Sequence, residues 1–163
     1  KVARHLGLPY PGGPQISKAS AKTSSSSFKF PRPMLNTNCY DFSFSGLKTH
    51  VTQLVKKDVL TEELISNIAF DFENAILDVL ISKTLRAAID LKVDNIVISG
   101  GVSANKRLRE RFENEKRDKN IFFPDIAFST DNGAMIAYMG YLKYHKDIKS
   151  SLEINPNPSS RLV

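Results

Sequence analysis

The 163-residue chain has no tryptophan, a single cysteine and no long hydrophobic run. Cys39 has no second cysteine to pair with, so no internal disulfide can form, and a reducing compartment is compatible with the composition. Crossing a bilayer takes roughly 20 consecutive apolar residues, and the start of the chain carries no signal-peptide pattern. The sequence therefore predicts a soluble protein, and its 41% hydrophobic residues suffice for a buried core.

Positive charge is in excess and unevenly spread. The formal net charge is +6 and the pI is near 9.4, with the excess mainly in residues 1–57 and 106–119. A basic balance of this kind fits an RNA or phosphate partner. An ordinary solvated basic surface gives the same balance, so charge alone does not decide between the two.

The second half of the chain alternates strand and helix patterns. Residues 61–92 predict a long, mostly buried helix that is capped by Thr61 and broken near Ser82. The following pattern predicts a buried strand at 95–99, an exposed basic helix at 104–116, a strand at 121–124 and a final helix at 132–146. This order predicts an α/β layer with parallel strands.

The first half is more irregular. Residues 1–8 read as the end of an amphipathic helix, stopped by Gly7 and Pro9. The order that follows predicts a turn at 9–13, a helix at 14–22, a Ser/Thr loop at 23–27, a β-hairpin from segments 28–33 and 41–45, and a helix from there to about Lys57. We expect one domain over 1–146 and a tail without periodicity over 147–163.

The β-branched run at 96–99 stops on Gly100 and Gly101, just before a helix start. Glycines permit a tight turn there, and Ser103 or Asn105 is placed to cap the helix. Free amides at such a turn bind anions, and the Asn105 amide has the chemistry to reach a ribose or base. An ordinary strand-to-helix turn fits this segment equally well.

Two further segments have a chemical as well as a structural interpretation. In 10–14 (YPGGP), Gly12 and Gly13 lie between prolines, which predicts either a fixed backbone that offers an amide to a ligand or a simple type II turn. Asp131 precedes the last helix, where it fits either an N-cap or a metal-ligating carboxylate. A Walker A reading of 44–49 fails, because no glycine immediately precedes Lys48.

Taken in order, the motifs YPGGP, FPRP, DFSFSGLKT, GGVSAN and STDNGAMIAY resemble the C-terminal half of the tRNA threonylcarbamoyladenosine transferase family, once labelled O-sialoglycoprotein endopeptidase. The resemblance extends over about 1–144. It implies one lobe of a two-lobed, actin-like (ASKHA, ribonuclease H-like) α/β fold. It also implies transfer of a threonylcarbamoyl group from threonylcarbamoyl-AMP to N6 of the adenosine 3′ of the anticodon, in tRNAs that read codons beginning with A.

The resemblance also implies roles for particular residues. Gly13 and Asn105 would bind the adenylate or ATP, together with Gly12, Gly100 and Gly101. Asp131 would be one ligand of a divalent metal, iron or zinc. The other ligands of the family are an HxxxH pair in its N-terminal half, which is not in this sequence, so we expect this chain to be a fragment that is inactive alone.

The implied partners are tRNA, the N-terminal half and, in a bacterium, an actin-like subunit and a P-loop ATPase subunit. No membrane partner is expected, and the implied location is the cytoplasm or the mitochondrion. Lys106, Arg107, Arg109 and Arg111 are expected to contribute to the tRNA surface. Two alternatives remain: a non-catalytic actin-like partner subunit, which would be expected to lack Asp131, and a metallopeptidase, for which the sequence has no HExxH pair.

Overall fold

In the computed structural model, the described residues are 1–25, 28–56, 59–151, 153 and 155. The helices within them are α1 (Val2–His5), α2 (Gly12–Ser20), α3 (Ser45–Val55), α4 (Glu62–Asp90), α5 (Lys106–Glu115) and α6 (Gly133–His145). The strands are β1 (Asn95–Val97) and β2 (Asn120–Phe122). Among the described residues, no helix is both long and apolar enough to span a bilayer.

Helix α4 is the central element. The Thr61 side chain accepts a hydrogen bond from the Leu64 amide at 3.2 Å, which confirms the predicted cap. The helix continues without interruption to Asp90, so the predicted break near Ser82 is wrong. Two hydrophobic clusters share α4: Ile68 and Phe72 pack on α1 and α3, and Leu77 and Ile81 pack on α5. A helix apolar on several sides is used as the core of the molecule.

The two strands pair in parallel, as predicted, with Ile96 opposite Ile121. The strand at 95–99 was predicted to be buried, and this is wrong for most of it. Only Ile96 is buried within β1, and Val97 is 73% exposed. Helix α6 likewise has no buried residue, although Met135, Ile136, Tyr138 and Tyr141 lie on it.

The predicted β-hairpin is absent: segments 28–33 and 41–44 are described and contain no strand. The Phe28 amide instead donates to the Asp71 carboxylate on α4 at 2.8 Å. Phe30 is 4% exposed and packs edge-on against Phe72. The alternation of apolar and basic residues reflects an irregular segment held by α4 rather than a strand ladder.

Side chains from α4 fix the loop between these segments. The buried Lys83 ammonium donates to the Met34 carbonyl at 2.8 Å and to the Thr37 hydroxyl at 3.2 Å. Arg86 donates to the carbonyl of Cys39 at 3.0 Å. These carbonyl oxygens of the connecting loop are thus paired with side chains of α4, which satisfies their hydrogen-bonding capacity.

Several boundaries shift by a few residues. Gly7 has φ +69° and ends α1 as predicted, but α2 begins at Gly12 rather than at residue 14. Helix α5 begins at Lys106, after a 3-10 turn over Gly101–Ala104. Residues 26, 27 and 57, on which parts of the loop and α3 predictions fall, lie outside the described residues, as does most of the predicted tail.

Candidate functional site

The turn after β1 is built on a glycine that no other residue replaces easily. Gly100 has φ +88° and ψ 170°, a region of backbone conformation that is essentially restricted to glycine. The turn places Asn105 as the N-cap of α5, where its side-chain oxygen accepts the Leu108 amide at 2.8 Å. The sequence allowed either Ser103 or Asn105 as the cap of this helix, and in the structure the cap is Asn105.

The other end of the Asn105 side chain joins two distant helices. Its amide nitrogen donates to the Ser17 hydroxyl of α2 at 2.9 Å and to the Glu73 carboxylate of α4 at 2.7 Å. Ser17 and Ser20 donate to the same carboxylate at 2.7 and 2.6 Å. Arg107 lies 3.6 Å from it. We call these five residues the Glu73 network.

Glu73 is a carboxylate in a buried position, and it is held in its charged form. Burial by itself would raise its pKa, but hydrogen bonds from Ser20, Ser17 and Asn105, together with the charge of Arg107, lower the pKa below the ordinary value. Glu73 is only 6% exposed. A buried charge is tolerated where it is this fully paired.

A cleft of about 410 Å³ opens beside the Glu73 network. Besides the network, its walls are formed by polar and apolar residues of α2, the loop after it, α4 and α5: Ala21, Thr23, Ser24, Phe70, Lys106 and Glu110. Arg107 also stacks over the Phe70 ring, with its guanidinium 4.3 Å from the ring centre. Hydroxyls, an amide and a guanidinium line this concavity together with the Glu73 and Glu110 carboxylates, which suits a polar ligand.

The two glycines of the 10–14 segment have different surroundings. A Cβ on Gly12 would lie 2.8 Å from the Cβ of Ala3, so Gly12 permits the close approach of α1 and α2. A Cβ on Gly13 would meet nothing within 4 Å. Gly12 is thus required for the packing of α1 on α2, whereas the backbone of Gly13 at the start of α2 has open space beside it.

The segment containing Asp131 lies against the glycine turn. A Cβ on Gly101 would be 3.9 Å from the Thr130 side chain, which places Asp131 one residue beyond this contact. Asn132, not Asp131, caps α6, with its side-chain oxygen accepting the Met135 amide at 3.0 Å. The exposed Asp131 carboxylate therefore does not cap α6.

For a metal, Asp131 is the candidate ligand, and the described residues form no complete site. Asp131 offers carboxylate oxygens, which suit a divalent cation. The part of the chain that the structure describes contains no group of three or more His, Cys, Asp or Glu side chains close enough to hold a metal ion. The residues present therefore do not by themselves fit the metal that the resemblance implies.

The structure brings the three predicted segments near one another. Ser17, one turn after Gly13, bonds to Asn105, and the turn that Asn105 ends lies close to Thr130, which precedes Asp131. Sequence reasoning missed Glu73. Asp71 and Asp78 lie near it on the same helix, so no local pattern distinguished Glu73 from the other acids of α4.

The arginines of α5 face inward more than the sequence suggested. Arg107 donates to Ser20 at 3.2 Å, and Arg109 donates to the carbonyls of Ser103 and Pro124 at 2.6 and 2.7 Å. Arg111 pairs with Asp78 and Glu115, both at 2.7 Å. Lys106 is the most exposed cation of the four, and it lies 3.6 Å from Glu110. These guanidiniums serve mainly to hold α5 in place.

The chain is similar to known proteins over most of its length. The family model described as tRNA N6-adenosine threonylcarbamoyltransferase matches residues 1–138. The chain belongs to this family. All three segments of the candidate site lie within the part of the chain that the threonylcarbamoyltransferase model matches.

Individual members of the threonylcarbamoyltransferase family match nearly all of this chain. A Thermosipho africanus relative of that name is 47% identical over 161 residues, covering 96% of this chain and 49% of the relative. A Sulfurihydrogenibium relative is 46% identical, with coverages of 99% and 48%. One from Buchnera aphidicola is 42% identical, with coverages of 100% and 49%. The chain thus spans about half the length of the curated relatives that it matches.

Proposed function

We propose that this chain is the C-terminal portion of an enzyme that transfers a threonylcarbamoyl group from threonylcarbamoyl-AMP to N6 of the adenosine 3′ of the anticodon, in tRNAs that read codons beginning with A. The observation that supports it is the proximity of the three segments: Asn105 bonds to Ser17, one turn after Gly13, and the glycine turn lies close to Thr130, which precedes Asp131. We propose further that the chain forms one lobe of a two-lobed, actin-like α/β fold. In that fold, these segments face a cleft between the lobes.

We assign nucleotide binding to Gly13 and Asn105, with Gly12, Gly100 and Gly101 shaping the backbone around them. Open backbone at Gly13 and Gly100 lets a phosphate approach closely. The buried hydroxyl of Ser103, which has no partner among the described residues, lies in the same turn. These features suit threonylcarbamoyl-AMP or ATP as a ligand.

An acyl-adenylate is already activated, so catalysis consists mainly of holding its carbonyl against the weakly nucleophilic amine of the adenosine. A C–N bond forms from N6 to the carbonyl carbon, the bond from that carbon to the phosphate oxygen breaks, AMP leaves, and N6 loses one proton to solvent. A metal, iron or zinc, would supply Lewis-acid stabilisation of the oxyanion, with Asp131 as one ligand. The remaining ligands would come from the N-terminal half, since the described residues do not complete a site.

The proposed partners are tRNA, the N-terminal half and, in a bacterium, an actin-like subunit and a P-loop ATPase subunit. The proposed location is the cytoplasm, or the mitochondrion for a mitochondrial member. A non-catalytic actin-like partner subunit remains the second hypothesis, and the experiment below separates the two.

The test adds the N-terminal half of the protein in trans to this chain, with tRNA, threonylcarbamoyl-AMP and metal, and measures modified adenosine. Product is expected only with both halves, and Asp131→Ala should abolish it. Glu63→Ala, which removes another exposed carboxylate, should leave it unchanged. No product from halves that demonstrably associate would overturn the transferase and favour the non-catalytic subunit.

A further inference from the structure

The carboxylate of the Glu73 network is surrounded by groups that donate to it. Glu73 Oε1 accepts from the Ser17 hydroxyl at 2.7 Å and from the Asn105 amide at 2.7 Å. Its Oε2 accepts from the Ser20 hydroxyl at 2.6 Å and lies 3.6 Å from Arg107. An ionised carboxylate can only accept hydrogen bonds, so each partner must turn a hydrogen toward it. Glu73 therefore sets the direction of these hydrogen bonds.

The Asn105 side chain has little hydrogen-bonding capacity left for a ligand. Its oxygen accepts the Leu108 amide at 2.8 Å, and because only the oxygen can accept, this contact fixes which way round the side-chain amide lies. The two hydrogens of its nitrogen are directed to Ser17 at 2.9 Å and to Glu73. A carbonyl oxygen has two lone pairs, so Asn105 keeps one acceptor position and no donor.

The hydroxyl of Ser17 is restricted in the same way. Its one hydrogen is donated to Glu73, and one of its two lone pairs accepts from Asn105, so the remaining lone pair can only accept. Ser17 and Asn105 are half-buried and both line the cleft of about 410 Å³, whereas Ser20 is only 1% exposed. We call Ser17 and Asn105 the acceptor pair.

The acceptor pair is selective because Glu73 fixes it. Serine and asparagine side chains ordinarily both donate and accept, so they can adjust to either kind of ligand group. Here the buried carboxylate takes up their hydrogens. A ligand group that also only accepts would leave lone pairs facing one another, and an unmade hydrogen bond of this kind lowers affinity by about tenfold or more.

We propose that Glu73 is a positioning residue that determines specificity at the nucleotide site: it makes Ser17 and Asn105 acceptors, and they select a nucleoside group that donates a hydrogen bond. The 6-amino group of adenine and the ribose hydroxyls are such donors, whereas a base with a carbonyl at position 6 presents an acceptor there. The inference rests on the proposed function in placing the nucleotide beside Asn105. Glu73 acts through its neighbours and not by touching the ligand.

The test measures nucleotide affinity by isothermal titration calorimetry in the complemented enzyme, which is this chain together with the N-terminal half. ATP is compared with ITP, in which a carbonyl replaces the 6-amino group, and with 2′,3′-dideoxy-ATP, which lacks the ribose hydroxyls. We expect one or both analogues to bind at least about tenfold more weakly than ATP. Weak binding of ITP identifies the amine as the selected donor, and weak binding of the dideoxy compound identifies the ribose. Equal affinity for all three nucleotides, or no binding of any of them by associated halves, would overturn the proposal.

Two substitutions of Glu73 separate hydrogen-bond direction from packing. Glu73→Gln keeps the size of the side chain but introduces N–H donors, so Ser17 and Asn105 can turn, and the preference for ATP should fall below about threefold. Glu73→Asp shortens the side chain but remains an ionised acceptor, so it should keep most of the preference while weakening the binding of every nucleotide. A purely structural role predicts equal weakening for all nucleotides and an unchanged preference in both variants, which would overturn the proposal.

Asp71→Asn is the matched control, because it makes the same carboxylate-to-amide change two residues earlier on α4. Asp71 accepts from the Phe28 amide at 2.8 Å and lies outside the lining of the cleft. Its substitution should leave the preference for ATP unchanged, and an equal loss of preference in Asp71→Asn and Glu73→Gln would contradict a specific role of Glu73.

The two proposals fail separately, because nucleotide preference is measured by binding and transfer by product. Normal adenosine modification with no nucleotide preference, or with a preference that survives Glu73→Gln, refutes the role of Glu73 alone. A preference that is lost in Glu73→Gln, without any modified adenosine from the unaltered halves, refutes the transferase alone.

Discussion

The side-chain nitrogen of Asn105 lies 2.7 Å from the carboxylate of Glu73, although the two residues are 32 positions apart in the chain. The same amide group caps α5 through its oxygen. One side chain thus fixes the start of α5 to the middle of α4. The position of the glycine turn before Asn105 depends on this connection.

Glu73→Gln should destabilise the chain by about 2 kcal/mol at neutral pH, because hydrogen bonds to a charged acceptor are stronger than those to an amide. The pKa of Glu73 is lowered in the folded chain, so its stabilising contribution is present above the unfolded value and is lost as pH falls through the folded value. Urea unfolding at several pH values should show a shallower loss of stability in acid for the variant.

Glu63→Gln is the matched control for this substitution, because it changes an exposed carboxylate in the first turn of the same helix. It should cost only a few tenths of a kcal/mol. An acid dependence of stability that is identical in the unaltered chain and in Glu73→Gln would show that Glu73 is not charged in the fold.

Replacing Asn105 by aspartate keeps the cap and places a second carboxylate against Glu73. Like charges at this distance raise the pKa of one member of the pair, so the variant should lose stability as pH rises and regain part of it near pH 4. Asn105→Ser also keeps a capping oxygen and adds no charge. Its loss of stability relative to the unaltered chain should therefore not grow with pH. Thermal unfolding of both variants at acidic and neutral pH measures this difference. If the melting temperatures of the two variants changed with pH in the same way, the contact between residue 105 and Glu73 would be contradicted.

The neighbouring glycines of the 10–14 segment should respond differently to alanine. Gly12→Ala places a methyl group 2.8 Å from the Cβ of Ala3 and should destabilise the packing of α1 on α2 by about 1–3 kcal/mol. Gly13→Ala meets open space and should leave stability unchanged or slightly raised.

Gly13→Ala also separates folding from the proposed function. If Gly13 binds the adenylate, this variant should lower transfer in the complemented enzyme at least tenfold without any loss in urea midpoint. Full transfer by a stable Gly13→Ala protein would remove Gly13 from the site.

Gly100→Ala should cost about 1–3 kcal/mol, because alanine is strained at φ +88° and ψ 170°. Gly46→Ala is its control. Gly46 lies in the first turn of α3 at ordinary helical φ with open space around it, so alanine should be neutral or stabilising there. Differential scanning calorimetry of the two variants checks this, and equal melting temperatures would argue against the strained turn.

Local pattern predicted the regular elements well. Apolar periodicity and the Thr61 cap indicated α4, and the alternation of strand and helix indicated the parallel pair. The hairpin at 28–33 and 41–45 was wrong, because Phe30 alternates with polar residues for a different reason: it fills the core beside Phe72. Alternation in a short segment does not distinguish a strand from an extended chain that is pinned by side chains.

The sequence by itself determined the family, through motifs whose order and glycines are local and readable. It also determined where α4 begins, since the Thr61 cap and the Leu64 amide that it satisfies lie three residues apart. Only the tertiary structure decided that Asn105, Ser17 and Glu73 meet and that the arginines of α5 are engaged within the chain. The contacts among Asn105, Ser17 and Glu73 join residues 32 to 88 positions apart, and they arise from the packing of whole helices, which no local pattern encodes.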